Sequence, residues 1–196
     1  ISGDGGTLSS GAKLQTVQGT IALAGDNITL TNSASAVETT SGAITVSGDG
    51  FTVDNSAELK SDIGVVTFSG ANASVAGGAT VETDSSAISF TGTGATVEGG
   101  ATVRTTSSNI TFSGANAAIK AGVETNSGDV TLSGGNTALN GGTVTTASGD
   151  INVTGSLNMT GDGTLEATSG TIAMDAAVTN AGGTETLTLI TSNAVT

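Results

Sequence analysis

The chain has 196 residues, 36% of them hydrophobic, with 31 glycines and a formal charge of -13 from 4 basic and 17 acidic side chains. It contains no cysteine, histidine, proline, tryptophan or tyrosine, which excludes disulfides, thiolate chemistry, imidazole acid/base catalysis and histidine ligation of metals. The acidity repels phosphate backbones and anionic lipid, and no apolar run approaches the roughly 20 residues of a spanning helix, so neither nucleic acid nor membrane insertion is expected.

In chain order the sequence repeats one unit: an isoleucine or valine, a spacer, a second large apolar residue, a spacer and a glycine. The copies are Ile21-x-Leu23-x-Gly25, Ile44-x-Val46-x-Gly48, Val66-x-Phe68-x-Gly70, Ile88-x-Phe90-x-Gly92, Ile110-x-Phe112-x-Gly114, Val130-x-Leu132-x-Gly134 and Ile151-x-Val153-x-Gly155, with Ile172-x-Met174 lacking the glycine. The leading residues are 23, 22, 22, 22, 20, 21 and 21 positions apart. Such a period is the signature of a solenoid, in which each repeat packs only on its neighbours. The start at Ile1, without methionine and in mid-pattern, reads as a processed or excised stretch of a longer chain, with residues 1–196 forming a single solenoid segment.

Each unit opens a first strand, because alternation at period two turns Val66 and Phe68 to one side and Thr67 and Ser69 to the other. A second strand follows the glycine, marked by Ile28 and Leu30, Phe51 and Val53, Val75, Val97, Ile119, Leu139, then Leu157 and Met159. A third recurs at Leu14, Val37, Leu59, Val81, Val103, Val123, Val144 and Leu165. β-branched residues and glycines are poor helix formers, so helices are not expected. An antiparallel sandwich is the rival fold, but it has no reason to hold one side-chain type at the same offset every 20 to 23 residues. The expected fold is therefore all-β: a right-handed parallel β-helix of about eight to nine coils, each of 20–23 residues and three strands of four or five residues. At about 4.8 Å per coil it makes a rod roughly 40 Å long.

In a parallel coil like stacks on like. Phe68, Phe90 and Phe112 share one offset and predict a buried aromatic stack, flanked by the column Ile44, Val66, Ile88, Ile110, Val130 and Ile151. The glycines Gly25, Gly48, Gly70, Gly92, Gly114, Gly134 and Gly155 mark the corner after strand one. Two residues on, Asn27, Gly50, Asn72, Gly94, Asn116 and Asn136 interchange asparagine with glycine, as a backbone needing positive φ allows. The position after the third-strand apolar residue reads Gln15, Glu38, Lys60, Glu82, Arg104, Glu124, Thr145, Glu166, which places each of two cations between glutamates and implies a charge ladder that fixes register. Lys120 sits one coil beyond Glu98 in the second-strand column.

The tandem strings Gly128-Asp-Val-Thr-Leu-Ser-Gly134, Gly149-Asp-Ile-Asn-Val-Thr-Gly155 and Thr168-Ser-Gly-Thr-Ile172 resemble the shaft repeats of filamentous-haemagglutinin-like exoproteins and related autotransporter adhesins of bacteria. The resemblance covers nearly the whole chain. It implies a right-handed parallel β-helix exported unfolded, standing as a stalk on the cell surface or released from it. The family's secretion domain and carbohydrate-binding modules have no counterpart in this stretch.

The expected function is accordingly a structural rod of an extracellular or surface-attached protein, with no cofactor and no catalysis. Its expected partners are further coils of the same chain or neighbouring subunits at both ends, together with host or matrix glycans. Three alternatives have a basis in the residues. Asp129 and Asp150 share an offset in adjacent coils, as the paired carboxylates of a polysaccharide-active enzyme would, although no insertion builds a cleft around them. Asp26-Asn27, Asp49 with Asp54, and Asp162 lie at turns and allow weak calcium sites, without the calcium nonapeptide of repeat toxins. The strand-one hydroxyls Thr45 and Ser47, Thr67 and Ser69, Ser89 and Thr91, Thr111 and Ser113, Thr131 and Ser133 form a file that suits ice or another flat lattice. The stretch from Thr184 to Thr196, with Leu187, Leu189 and Ile190, reads as another coil starting or drifting out of register.

Overall fold

A computed structural model describes residues 2–196; Ile1, where the sequence opens in mid-pattern, lies outside them. The described chain is a parallel β-solenoid with three strands per coil and no helix. Strand one recurs eight times, from Ile21–Leu23 to Ile172–Met174, and these strands form one sheet. Strand two recurs nine times, from Thr7–Leu8 to Val178–Asn180, and strand three nine times, from Lys13–Thr16 to Leu187–Thr191. Every neighbour in each sheet is the strand one coil away, and every pairing is parallel, as Val66–Phe68 on Ile88–Phe90 on Ile110–Phe112 illustrates.

Two details differ from the expectation. Strand one spans three residues in every coil rather than four or five, and strand two shrinks to two residues at Thr7–Leu8, Ser74–Val75, Thr96–Val97 and Ala118–Ile119. The terminal stretch does not drift: Leu187–Thr191 pairs in register with Gly163–Ala167, and Val195 bridges Ile172.

The apolar interior is continuous, with Ile44, Val66, Ile88, Ile110, Val130 and Ile151 all at most 1% exposed. Phe68, Phe90 and Phe112 stack with ring centroids 4.6 Å apart and planes 2° from parallel, so the rings repeat at the coil rise itself. Each coil also balances volume between its strand-one and strand-two sides. The coils of Phe68, Phe90 and Phe112 carry buried alanines at 73, 95 and 117, whereas the coil with Val46 carries Phe51 in that column and the coil with Val153 carries Leu157. Phe51 reaches the stack from the other side, 6.1 Å from Phe68 with the rings tilted by 54°. A fixed cross-section at interior packing density demands this exchange of large for small.

Two glycine columns turn the chain. A Cβ at Gly48, Gly70, Gly92, Gly114, Gly134 or Gly155 would come within 1.8–2.1 Å of the carbonyl oxygen of the glycine one coil below. Backbone here rests directly on backbone, and the corner glycines are required by that approach. Positive φ is needed two residues later, where Asn27, Asn72, Asn116 and Asn136 adopt 56–63° and Gly50 and Gly94 adopt 70–72°. The second column, including Gly42, Gly64, Gly149 and Gly170 between strands three and one, meets the same obstacle at 1.8–1.9 Å, whereas Ser86 and Ser108 fill its position in two coils.

Candidate functional site

The three outer faces differ in chemistry. Strand three carries the charge. Its ladder runs in paired register from Gln15 through Glu38, Lys60, Glu82 and Arg104 to Glu124, then Thr145 and Glu166. Ion pairs concentrate on one member, since Lys60 Nζ lies 3.4 Å from Glu82 Oε1 and Arg104 reaches Glu82 Oε2 through Nε at 2.8 Å and Nη2 at 2.5 Å. Among the described residues, Lys60 and Arg104 thus share Glu82; Glu38 pairs instead with Lys13 at 4.0 Å and takes a hydrogen bond from Gln15. Lys120 Nζ meets Glu98 Oε2 at 2.8 Å on the strand-two face.

Glu82 is 12% exposed, and its burial pushes its carboxyl pKa up, but the hydrogen bond and charge of Arg104, with the charge of Lys60, outweigh this and hold it below the usual carboxylate range. Burial pulls the Lys60 ammonium down, yet Glu82, Asp84 and Asp62 together raise it. The hydrogen bond to Glu82 raises Arg104 further. A shallow groove of about 560 Å3 runs along this face beside Gln15, Val17, Glu38, Thr40, Lys60 and Asp62. A second, of about 310 Å3, continues past Glu82, Arg104 and Glu124.

Strand one presents the hydroxyl file: Thr45, Thr67, Ser89, Thr111 and Thr131 half-buried, with Ser47, Ser69, Thr91, Ser113 and Ser133 exposed beside the corner glycines. Ser69 and Thr91 donate to the carbonyls of Val46 and Phe68 one coil below, at 3.2 and 3.4 Å.

The paired aspartates have a definite task in the coil stack. Asp129 Oδ1 accepts the Asp150 N–H at 2.9 Å, and Asp150 Oδ1 accepts the Thr171 N–H at 2.7 Å and its hydroxyl at 2.9 Å. At the first corner Asp26 and Asp49 do the same, accepting the N–H of Asp49 at 3.0 Å and of Ala71 at 2.7 Å. Asp54 accepts the Asn55 N–H at 2.7 Å, and Asp162 accepts the Thr186 N–H at 2.8 Å. Each carboxylate caps an amide, most of them in the next coil, and among the described residues no three acidic side chains converge on a common point.

One functional column escaped the sequence reading. Thr39, Ser61, Thr83, Thr105, Thr125 and Thr146 end strand three and point inward, each at most 4% exposed. Ser61 Oγ accepts the Gly64 N–H at 2.8 Å and donates to the Gly42 carbonyl at 3.1 Å; Thr146 Oγ1 accepts from Gly149 at 2.7 Å and donates to Gly128 at 3.3 Å. The hydroxyl closes its own corner and ties it to the coil below. A signal was available in the spacing Ser/Thr-x-x-Gly, as in Thr39 to Gly42 and Thr146 to Gly149.

Compared with known proteins, the chain matches no family model, no curated protein and no solved structure.

Proposed function

We propose that this chain is a rod segment of a secreted or surface-attached bacterial repeat protein, serving as stalk, filament, matrix component or adhesin shaft, located outside the cell and without catalytic activity. The observation that carries this reading is the unbroken parallel pairing of all three sheets, with no long loop interrupting any coil to build a cleft. Every coil adds a backbone ladder on three sides and another layer of core, so length scales with repeat number while cross-section stays fixed.

The edge strands support a role for further coils or neighbouring subunits at both ends. Lys13–Thr16 and Leu187–Thr191 each have a ladder partner on one side only, and Val178, Ile190 and Val195 are 45–49% exposed there. The uncharged hydroxyl file of strand one is the face on which host or matrix glycans would sit, and the rod needs no cofactor, its turn aspartates allowing at most weak surface calcium. Small-angle scattering tests the reading: the chain should fit a rod about 40 Å long, and a tandem duplicate should lengthen without thickening. A duplicate that thickened at constant length would sink the proposal. A glycan array and a thermal-hysteresis assay separate a glycan-binding shaft from an ice-binding face.

A further inference from the structure

We propose that the coil from Val130 to Asp150 is the interior seam of this solenoid, the turn that opens first inside its two ends, where the firm aromatic block gives way to coils without its devices. The proposal uses the rod reading only for its biological purpose; the geometry that supports it is internal to the fold.

Four observations coincide in that coil. Thr137 is 1% exposed, and its Oγ1 has no hydrogen-bond partner among the described residues. It stands in a column otherwise filled by Ile28, Phe51, Ala73, Ala95, Ala117 and Leu157, so an unpaired hydroxyl occupies an apolar slot. The aromatic stack stops one coil earlier at Phe112, whose partner above is Leu132. The charge ladder lapses at Thr145, and among the described residues no ion pair involves positions 130–150. Finally, a shallow surface recess of about 360 Å3 begins at the corner between strands two and three, lined by Gly141, Gly142 and Thr143, and continues over Asp162, Gly163 and Thr164 to Thr186 and Thr188 of the two coils above.

Ser35, the other buried hydroxyl without a partner among the described residues, lies in the coil whose Glu38 pairs with Lys13. In a solenoid each coil is held only by its neighbours, so stability is set coil by coil and local opening starts where the terms are poorest. Opening at Val130–Asp150 lets the rod yield at one turn while the aromatic block stays folded.

Hydrogen exchange followed by mass spectrometry on the whole chain tests this. Amides of 130–150 should exchange about tenfold faster than those of 66–112, the factor that an unpaired buried hydroxyl produces. Thr137→Val, which keeps the shape and removes the hydroxyl, should slow 130–150 by a similar factor and leave 66–112 unchanged. Thr146→Val, which removes a paired hydroxyl from the same coil, should accelerate it. Equal protection of the two segments in the unmodified chain overturns the seam, and so does an unaltered rate in Thr137→Val. Either result leaves the scattering test of the rod untouched.

Discussion

The coils from Ile44 to Thr125 and those from Val130 to Met174 share one backbone and solve the interior differently. The first block stacks Phe68, Phe90 and Phe112 over small alanines and ties its outer face through Glu82 to Lys60 and Arg104. The second has neither device, filling its core with Leu132, Val153, Leu157 and Met159, all at most 2% exposed. Pairing continues through both without a break in register. What persists across the boundary is the glycine corner after strand one; the inward hydroxyl of strand three continues to Thr146 and gives way to buried Ala167 in the next coil, while aromatic stack and ion ladder are additions that firm one block.

The largest expected effect tests the shared element. Gly92→Ala and Gly114→Ala each place a Cβ 1.9 Å from a carbonyl oxygen one coil below, and each should cost about 4 kcal/mol or prevent folding. Gly135→Ala, with nothing within 4 Å, should stay within about 0.5 kcal/mol in the same urea titration. Comparable losses at all three positions would mean that the corners are not held by backbone contact.

Core substitutions sharpen the contrast next. Phe90→Ala should lose about 3–5 kcal/mol and Leu132→Ala about 2–5 kcal/mol. The double change Phe90→Val with Ala95→Phe rebuilds the arrangement of Val46 and Phe51, and should recover part of the loss with a coupling of about 0.5–3 kcal/mol in a double-mutant cycle. Strict additivity would mean that the two columns do not share one volume.

Removing the inward hydroxyl should matter equally in both blocks. Ser61→Ala and Thr146→Val each strand the N–H of a buried corner and should cost about 1–3 kcal/mol by thermal or urea unfolding. A large effect in one block alone would break the claim that this column is common to them.

The smallest effect belongs to the ladder. Glu82→Gln should cost about 1 kcal/mol or less, and only in the first block, because its two cationic partners are partly solvated. The folded carboxyl titrates below its unfolded value of about 4.3, so its contribution is present above that pH and disappears as pH falls through the lowered folded value. Glu82→Gln should therefore flatten the acid limb of a stability-against-pH curve; an unchanged limb would remove the ladder from the account.

Much of this was legible in the residues. The period, the three strands per coil and the stacked phenylalanines follow from apolar alternation and from like side chains recurring at one offset. The alternation of asparagine and glycine at 27, 50, 72, 94, 116 and 136 marks a left-handed corner, and all six adopt positive φ. The inward hydroxyls were missed because alternation assigns an inward position to an apolar residue, and a threonine there looks like surface. The ladder is in the predicted register, but which carboxylate takes which cation depends on side-chain reach: both cations turn to Glu82 and neither to Glu38 or Glu124.

The sequence by itself determined the parallel coil, its register and its stacked columns, since a side chain repeated every 20 to 23 residues can only lie over its own copy when the strands run the same way. Only the tertiary structure decided how two columns share one interior, Phe68 with Ala73 and Val46 with Phe51, and why the corner must be glycine. Both depend on distances across the coil, where volume is conserved and backbone meets backbone, and one-dimensional spacing carries no record of that separation.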